Sequence, residues 1–368
     1  MMLNFLPGIL LALSGCVTVD DSPDQSLRRP KRSYAERTLA RRKRTNQLLE
    51  SILPPNGFGG ALEEIELPEL EAPSIDWSTI HVDLDPQKGG NLQGNTPRSR
   101  RKRLQVEAFL HLCKELLPGV ADDKESTIVD AGSGAGNLAI PLAGLLQSHV
   151  LAIDMNQISL DRLEDRSRDI PNCDVSTLRA DLATAVLPDA CSIVCSLHAC
   201  GAATDMAIRM STQYRLPFVM SPCCTGKANI DRVVTNKHGL MDATETYYQK
   251  SAAPIDITYP RSQWLLRELQ GIEETITSDN PSAAHYATLA KVADVGLGPQ
   301  TPIEQIRHQR LAKYAVELDR LMNVVESHDY VVQMFKLKHH EGYGKTEIYI
   351  GVPKEHPAAS RIGSMTSP

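Results

Sequence analysis

The stretch Ile128-Val-Asp-Ala-Gly-Ser-Gly-Ala-Gly-Asn137 constrains this chain more than any other. Apolar β-branched residues lead into Asp130, and Gly132, Gly134 and Gly136 then alternate with small residues until a helical pattern starts at Asn137. Glycines in such a turn let backbone pass against a ligand where a Cβ would stand, and they admit positive φ. A strand, a glycine turn and a helix in this order form the first ligand-binding crossover of an open α/β sheet. Asp154, at the end of the next strand, lies roughly 20 residues on, where an acid can take two ribose hydroxyls.

The rest of the chain supports the same architecture. Short apolar runs predict strands at 127–130, 149–154, 175–180, 192–197 and 217–221, with helices at 137–146, 157–168 and 203–213 between them. Alternation at this spacing implies parallel strands joined by right-handed crossovers, a Rossmann-like doubly wound sheet whose ligands sit beyond the carboxyl ends of the strands. After Lys227 the alternation stops. The segment to about residue 300 reads as a functional insertion with helices at 261–271 and 283–293. A strong helix at 303–325 then leads to runs 330–337 and 346–353, an antiparallel C-terminal hairpin across a polar turn.

The glycine order separates two ligands. A dinucleotide loop cradles a pyrophosphate with backbone N–H groups. Here an acid leads, D-x-G-x-G-x-G, so that Asp130 can face a ligand carrying positive charge, as S-adenosyl-L-methionine does. Asp181, in Arg179-Ala-Asp-Leu182 after the third strand, is placed to accept from an adenine amino group, and the hairpin supplies the antiparallel last strand of a methyltransferase sheet.

On these residues the sequence resembles a class I S-adenosylmethionine-dependent methyltransferase. More narrowly it resembles the methyltransferase half of the glutathione S-transferase C-terminal domain-containing protein family. The likeness runs from about Pro97 to Pro353 and is carried by Asp130 to Gly136, Leu197-His-Ala-Cys-Gly-Ala-Ala-Thr-Asp-Met206, Phe218-Val-Met-Ser-Pro-Cys-Cys-Thr-Gly226, Tyr259-Pro-Arg-Ser262 and Ile348-Tyr-Ile-Gly-Val-Pro353. No glutathione-transferase-like region stands in front. A more distant similarity, in Cys-Gly-x-x-Thr-Asp and the paired cysteines, is to tRNA ribose 2'-O-methyltransferases. It implies RNA, tRNA-like, or else protein, as the acceptor ahead of a small molecule.

The two cysteine loops end the fourth and fifth strands of this topology and are therefore neighbours. Leu197 lines the donor side. His198 can orient an acceptor or remove its proton with a pKa near neutral. Cys200, Cys223 and Cys224 have three readings: ligands of a metal together with His198, a covalent nucleophile, or small apolar fillers. Adjacent cysteines rarely both ligate one tetrahedral ion, and the expectation is no metal. Thr204 and Asp205 stand where the fourth crossover helix starts and are expected to cap it. Arg261, Arg307, Arg310 and Lys313 either meet an anionic acceptor or belong to solvated faces.

With 368 residues, 42% hydrophobic and 23% charged, and a net charge of −6, nothing in the bulk composition argues for a polyanion binder. The basic residues are unevenly spread, however. Thr96-Pro-Arg-Ser-Arg-Arg-Lys-Arg103 feeds an amphipathic helix at 104–117 and could hold an anionic substrate. Eight cysteines, with no C-x-x-C pair, read as reduced thiols of an intracellular, cytoplasmic protein. The apolar start, Met1 to Cys16, and the basic segment Arg28 to Arg44 form a candidate organelle-targeting leader, too short to insert stably in a membrane. The expected division is leader and linker to about residue 95, largely disordered, a methyltransferase domain from 96 to 354, and a disordered tail. Two rival readings remain: a non-catalytic methyltransferase-like module binding RNA or protein, and an NAD-dependent oxidoreductase.

Overall fold

All five residues of Thr127–Ala131 are buried, as a strand covered by helices on both faces requires. It is strand β2 of an eight-stranded sheet. The others are β1 (Glu69–Leu70), β3 (His149–Asp154), β4 (Val175–Arg179), β5 (Cys191–Ser196), β6 (Phe218–Met220), β7 (Tyr330–Leu337) and β8 (Glu347–Pro353). The computed structural model describes residues 46–89, 96–117, 126–197, 199–222, 224–225, 257–272, 280–294, 301–338 and 347–362. The chain divides into a unit Met1–Arg44, which lies outside those residues, and the unit Thr45–Pro368.

The strand order is β1-β7-β8-β6-β5-β2-β3-β4. Strands β2 to β6 run parallel, and β8 is antiparallel to both β6 and β7. The chain moves outward from β2 to β3 and β4, then returns to pair β5 on the other side of β2. That reversal opens a crevice above the carboxyl ends of β2 and β5.

Side chains alternate across the sheet between two cores. Ile128, Val150 and Ile193 join the core of helices α1 (Pro97–Leu116), α2 (Ala139–Leu146) and α3 (Gln157–Ser167). Val129, Leu151 and Val194 join that of α4 (Ala202–Gln213), α5 (Gln263–Gln270), α6 (Pro281–Ala293) and α7 (Ile303–Ser327). The basic run before Leu104 is itself helical. Thr96 accepts from the Ser99 N–H while the Ser99 hydroxyl accepts from the Thr96 N–H, a capping box that starts α1 at Pro97.

The expected linker does not hold for residues 46–89. Leu49, Ile52, Leu53 and Leu62 are 0–1% exposed in the α4–α7 core. Glu69 and Leu70 add a parallel strand beside Lys336 and Leu337 of β7. Burial of isolated Leu and Ile residues outweighs an acidic local composition that would not hold structure alone. The remaining leader, the hairpin turn 339–346 and the end of the tail, 363–368, lie outside the described residues.

Candidate active site

The three glycines of the first turn have different reasons to be glycine, although all have positive φ, 77°, 55° and 78°. A Cβ on Gly136 would lie 2.7 Å from Leu163, so this residue lets α3 approach. One on Gly132 would lie 3.2 Å from the Ala199 Cβ, so this residue lets the loop after β5 approach. At Gly134 a Cβ would meet nothing within 4 Å, so this glycine faces open space. Gly132 and Ser133 donate to the Ile153 carbonyl at 2.8 and 3.1 Å, and Arg166 of α3 donates to the Ala135 carbonyl, which fix the turn over the sheet edge.

The predicted acids stand around that turn. Asp154 accepts from the Gly134 N–H at 2.9 Å through one carboxylate oxygen and from the Asn156 N–H at 2.8 Å through the other. Asp181 follows β4, is half-buried, and accepts from the Ala183 N–H at 3.0 Å. Asp130 is only 1% exposed, and its Oδ2 has no hydrogen-bond partner. Burial pushes its pKa up to about 7, against the Ala139 N–H, which favours the charge, and with a smaller push from Asp154. Met155, which the pattern reading passed over, is 39% exposed directly after Asp154, with Ile158 at 63%. Large apolar side chains left open beside a carboxylate are the signal that could have found them.

The fourth- and fifth-strand loops meet as expected. The Gly201 N–H donates to the Cys224 carbonyl at 3.0 Å, and the Ser221 N–H to the Ser196 carbonyl at 2.9 Å. Cys200 and Cys224 are half-buried and form no disulfide. Leu197, 2% exposed, packs into the α1–α3 core, so only its backbone is available to a ligand. His198 and Cys223 lie outside the described residues, among which no cluster of His, Cys, Asp or Glu has a metal-holding arrangement.

Several expected roles need correction. Helix α4 starts at Gly201 without any side-chain cap. The Thr204 hydroxyl turns back to the Ala199 carbonyl, and Asp205 pairs with Arg320 of α7, whose Nε lies 3.2 Å from it. Among the cations, Arg261 donates to Asn323 at 3.1 Å, Arg307 pairs with Glu63, and Lys313 is buried against Glu347 and Glu317. Burial works against the Lys313 charge, but the two carboxylates outweigh it and raise its pKa. Each of these three side chains has a partner within the domain. Arg310 alone of the four is exposed.

Sheet order, antiparallel last pair and glycine turn together define a Rossmann-like fold, a mostly parallel sheet with an antiparallel pair at one side. Residues 101–230 match the family model described as a methyltransferase domain. The chain is similar to glutathione S-transferase C-terminal domain-containing proteins. It is 26% identical to that of Mus musculus over 282 residues, 76% of this chain and 37% of that protein. With that of Xenopus laevis the identity is 32% over 155 residues, 42% of this chain and 24% of that protein. With the Drosophila melanogaster homolog it is 27% over 283 residues, 75% of this chain and 40% of that one. The chain thus spans well under half the length of these relatives. The solved structure of coclaurine N-methyltransferase is 13% identical, with a TM-score of 0.33 over 86% of this chain and 91% of its own.

Proposed function

We propose that the protein is an S-adenosyl-L-methionine-dependent methyltransferase acting on RNA or protein. The observation that carries this reading is Gly134, open to solvent at the switch point of the sheet, with its N–H on a carboxylate that a ribose can share. The residues fit the donor in three ways. Asp154 offers acceptor oxygens for a diol, Met155 offers an apolar surface for a flat base beside Asp181, and Asp130 keeps an unpartnered oxygen beneath the turn for a cationic group. Gly132 leaves room for the backbone of the loop that follows β5.

When bound, the donor supplies a methyl group activated by a sulfonium. The chain's residues then have the work of placement: Gly134 admits the donor, Gly132 and Gly136 let the loop after β5 and α3 close in on the turn that binds it, Asp154 and Asp181 orient its nucleoside, and the Leu197 backbone borders it. His198, Cys200, Cys223 and Cys224 are assigned to the acceptor, with His198 to take a proton from the attacking atom. Holding the two reactants in line supplies much of the acceleration in such a transfer.

The preference for a macromolecular acceptor is supported by α1. Gln105 reaches Ser221 at 3.4 Å, which brings the helix against the fifth-strand loop, and Arg98, Arg101 and Lys102 precede it on the same face at helical spacing. Calorimetry with S-adenosyl-L-methionine and with NAD tests the donor: binding of the dinucleotide alone would replace this reading by an oxidoreductase. Labelled donor, incubated with enzyme and an extract fractionated into RNA, protein and small molecules, tests the acceptor. Label confined to RNA supports a tRNA-like substrate; donor binding without label in any pool supports a non-catalytic module.

A further inference from the structure

Arg320 of α7 is wholly buried, and no feature of the donor site uses it. Its Nε lies 3.2 and 3.3 Å from the two carboxylate oxygens of Asp205, and its Nη2 donates to the Gly201 carbonyl at 3.1 Å. Gly201 is the junction of the two cysteine loops. Its N–H is held by the Cys224 carbonyl, its C=O by Arg320, and its φ of 63° with ψ of −132° belongs to a region glycine alone adopts readily. Tyr259 closes the arrangement from a third side by donating to Asp205 at 2.8 Å. Asp319, the neighbour of Arg320 in α7, accepts from the backbone N–H groups of Arg261 and Ser262 at 2.8 Å each, which fixes the Tyr259 segment to the same helix.

We infer that Arg320 is a positioning residue for the acceptor side: by holding the Gly201 peptide it sets the spacing of the Cys200 and Cys224 loops. This rests on the methyltransferase reading, and it adds a control point far from the donor turn. A structural ion pair needs only charge, whereas the planar guanidinium reaches Asp205 and the Gly201 carbonyl from separate nitrogens at fixed spacing, which the single nitrogen of an ammonium does not reproduce. The donor turn is hydrogen-bonded to β3 and α3, and its Gly132 meets the loop after β5 by packing on Ala199 alone rather than through Gly201, so donor affinity is expected to change little.

The test uses the full chain with Arg320→Lys, which keeps the charge opposite Asp205, and Tyr259→Phe, which removes one hydrogen bond without stranding a buried ion. Iodoacetamide labelling followed by mass spectrometry reads the loops directly, with half-buried Cys173 as the internal control. Both variants are expected to melt within a few degrees of wild type and to bind S-adenosylhomocysteine within about two-fold. Alkylation of Cys200 and Cys224 is expected to rise about ten-fold in Arg320→Lys and less in Tyr259→Phe, with Cys173 unchanged. In the fraction labelled by wild type, kcat is expected to fall about thirty-fold in Arg320→Lys at unchanged KM for the donor. Unchanged alkylation, or loss of donor affinity in step with the melting temperature, would overturn the inference. Wild type that binds no S-adenosylhomocysteine overturns the donor reading instead, and the labelling result then stands on its own.

Discussion

At Gly134 an added side chain has room but points where the donor would lie. The φ of 55° is one that Asp and Asn adopt more readily than other residues, so Gly134→Asp is expected to fold. It would set a second carboxylate against Asp154 and fill the open space. Donor affinity is expected to fall about 100-fold, equivalent to about 2.7 kcal/mol, in calorimetry at unchanged melting temperature. Asp130 gives a pH dependence. Its pKa in the folded chain, about 7, lies above its ordinary value of 3.8, so folding favours the protonated form. Its ionisation therefore costs stability progressively from about pH 4 to pH 7, and fully above that. Asp130→Asn is expected to melt together with wild type at pH 4 and several degrees above it at pH 8. Because a cationic donor favours the ionised form, wild-type affinity is expected to rise through pH 7, and the variant's to stay flat. The glycine turn and the acids around it were legible in sequence because their spacing is local. Arg320 was not, since Asp205 lies 115 residues away and no short pattern links them.

Among the elements, α7 departs furthest from what its residues suggest. Lys313, Glu317, Asp319 and Arg320 resemble a solvated face, yet all four are buried, because the sheet lies against one side of the helix and α5 and α6 against another. Periodicity identified the helix and could not identify its environment. The hairpin was legible for the opposite reason, its two apolar runs being long and close together. In β8, Gly351 pairs with Phe218 of β6, whose ring lies 2.3 Å from where a Cβ would stand. Gly351→Ala must push that ring into a filled core. A loss of roughly 1–3 kcal/mol is expected in urea unfolding, partly recovered when Phe218→Leu is added.

Over the whole unit, residues 46–70 act as an outer brace. They place four side chains in the α4–α7 core, pair Glu63 with Arg307, and lay β1 along β7. A chain starting at residue 45 serves as the reference. One starting at residue 66 loses Leu49, Ile52, Leu53 and Leu62, at roughly 1.5–3 kcal/mol for each buried side chain, and is expected to aggregate or melt far lower by light scattering and calorimetry. This brace escaped the sequence reading because two-residue strands and scattered leucines carry no period. Its position also has a temporal side. A ribosome adds about 5–20 residues per second, so Leu70 is made about 13–53 s before its neighbour Leu337. Through that interval the apolar side chains meant for α7 have nothing to close on, and the nascent chain depends on whatever shields them. The last helix to be synthesised is what releases the first segment from that wait.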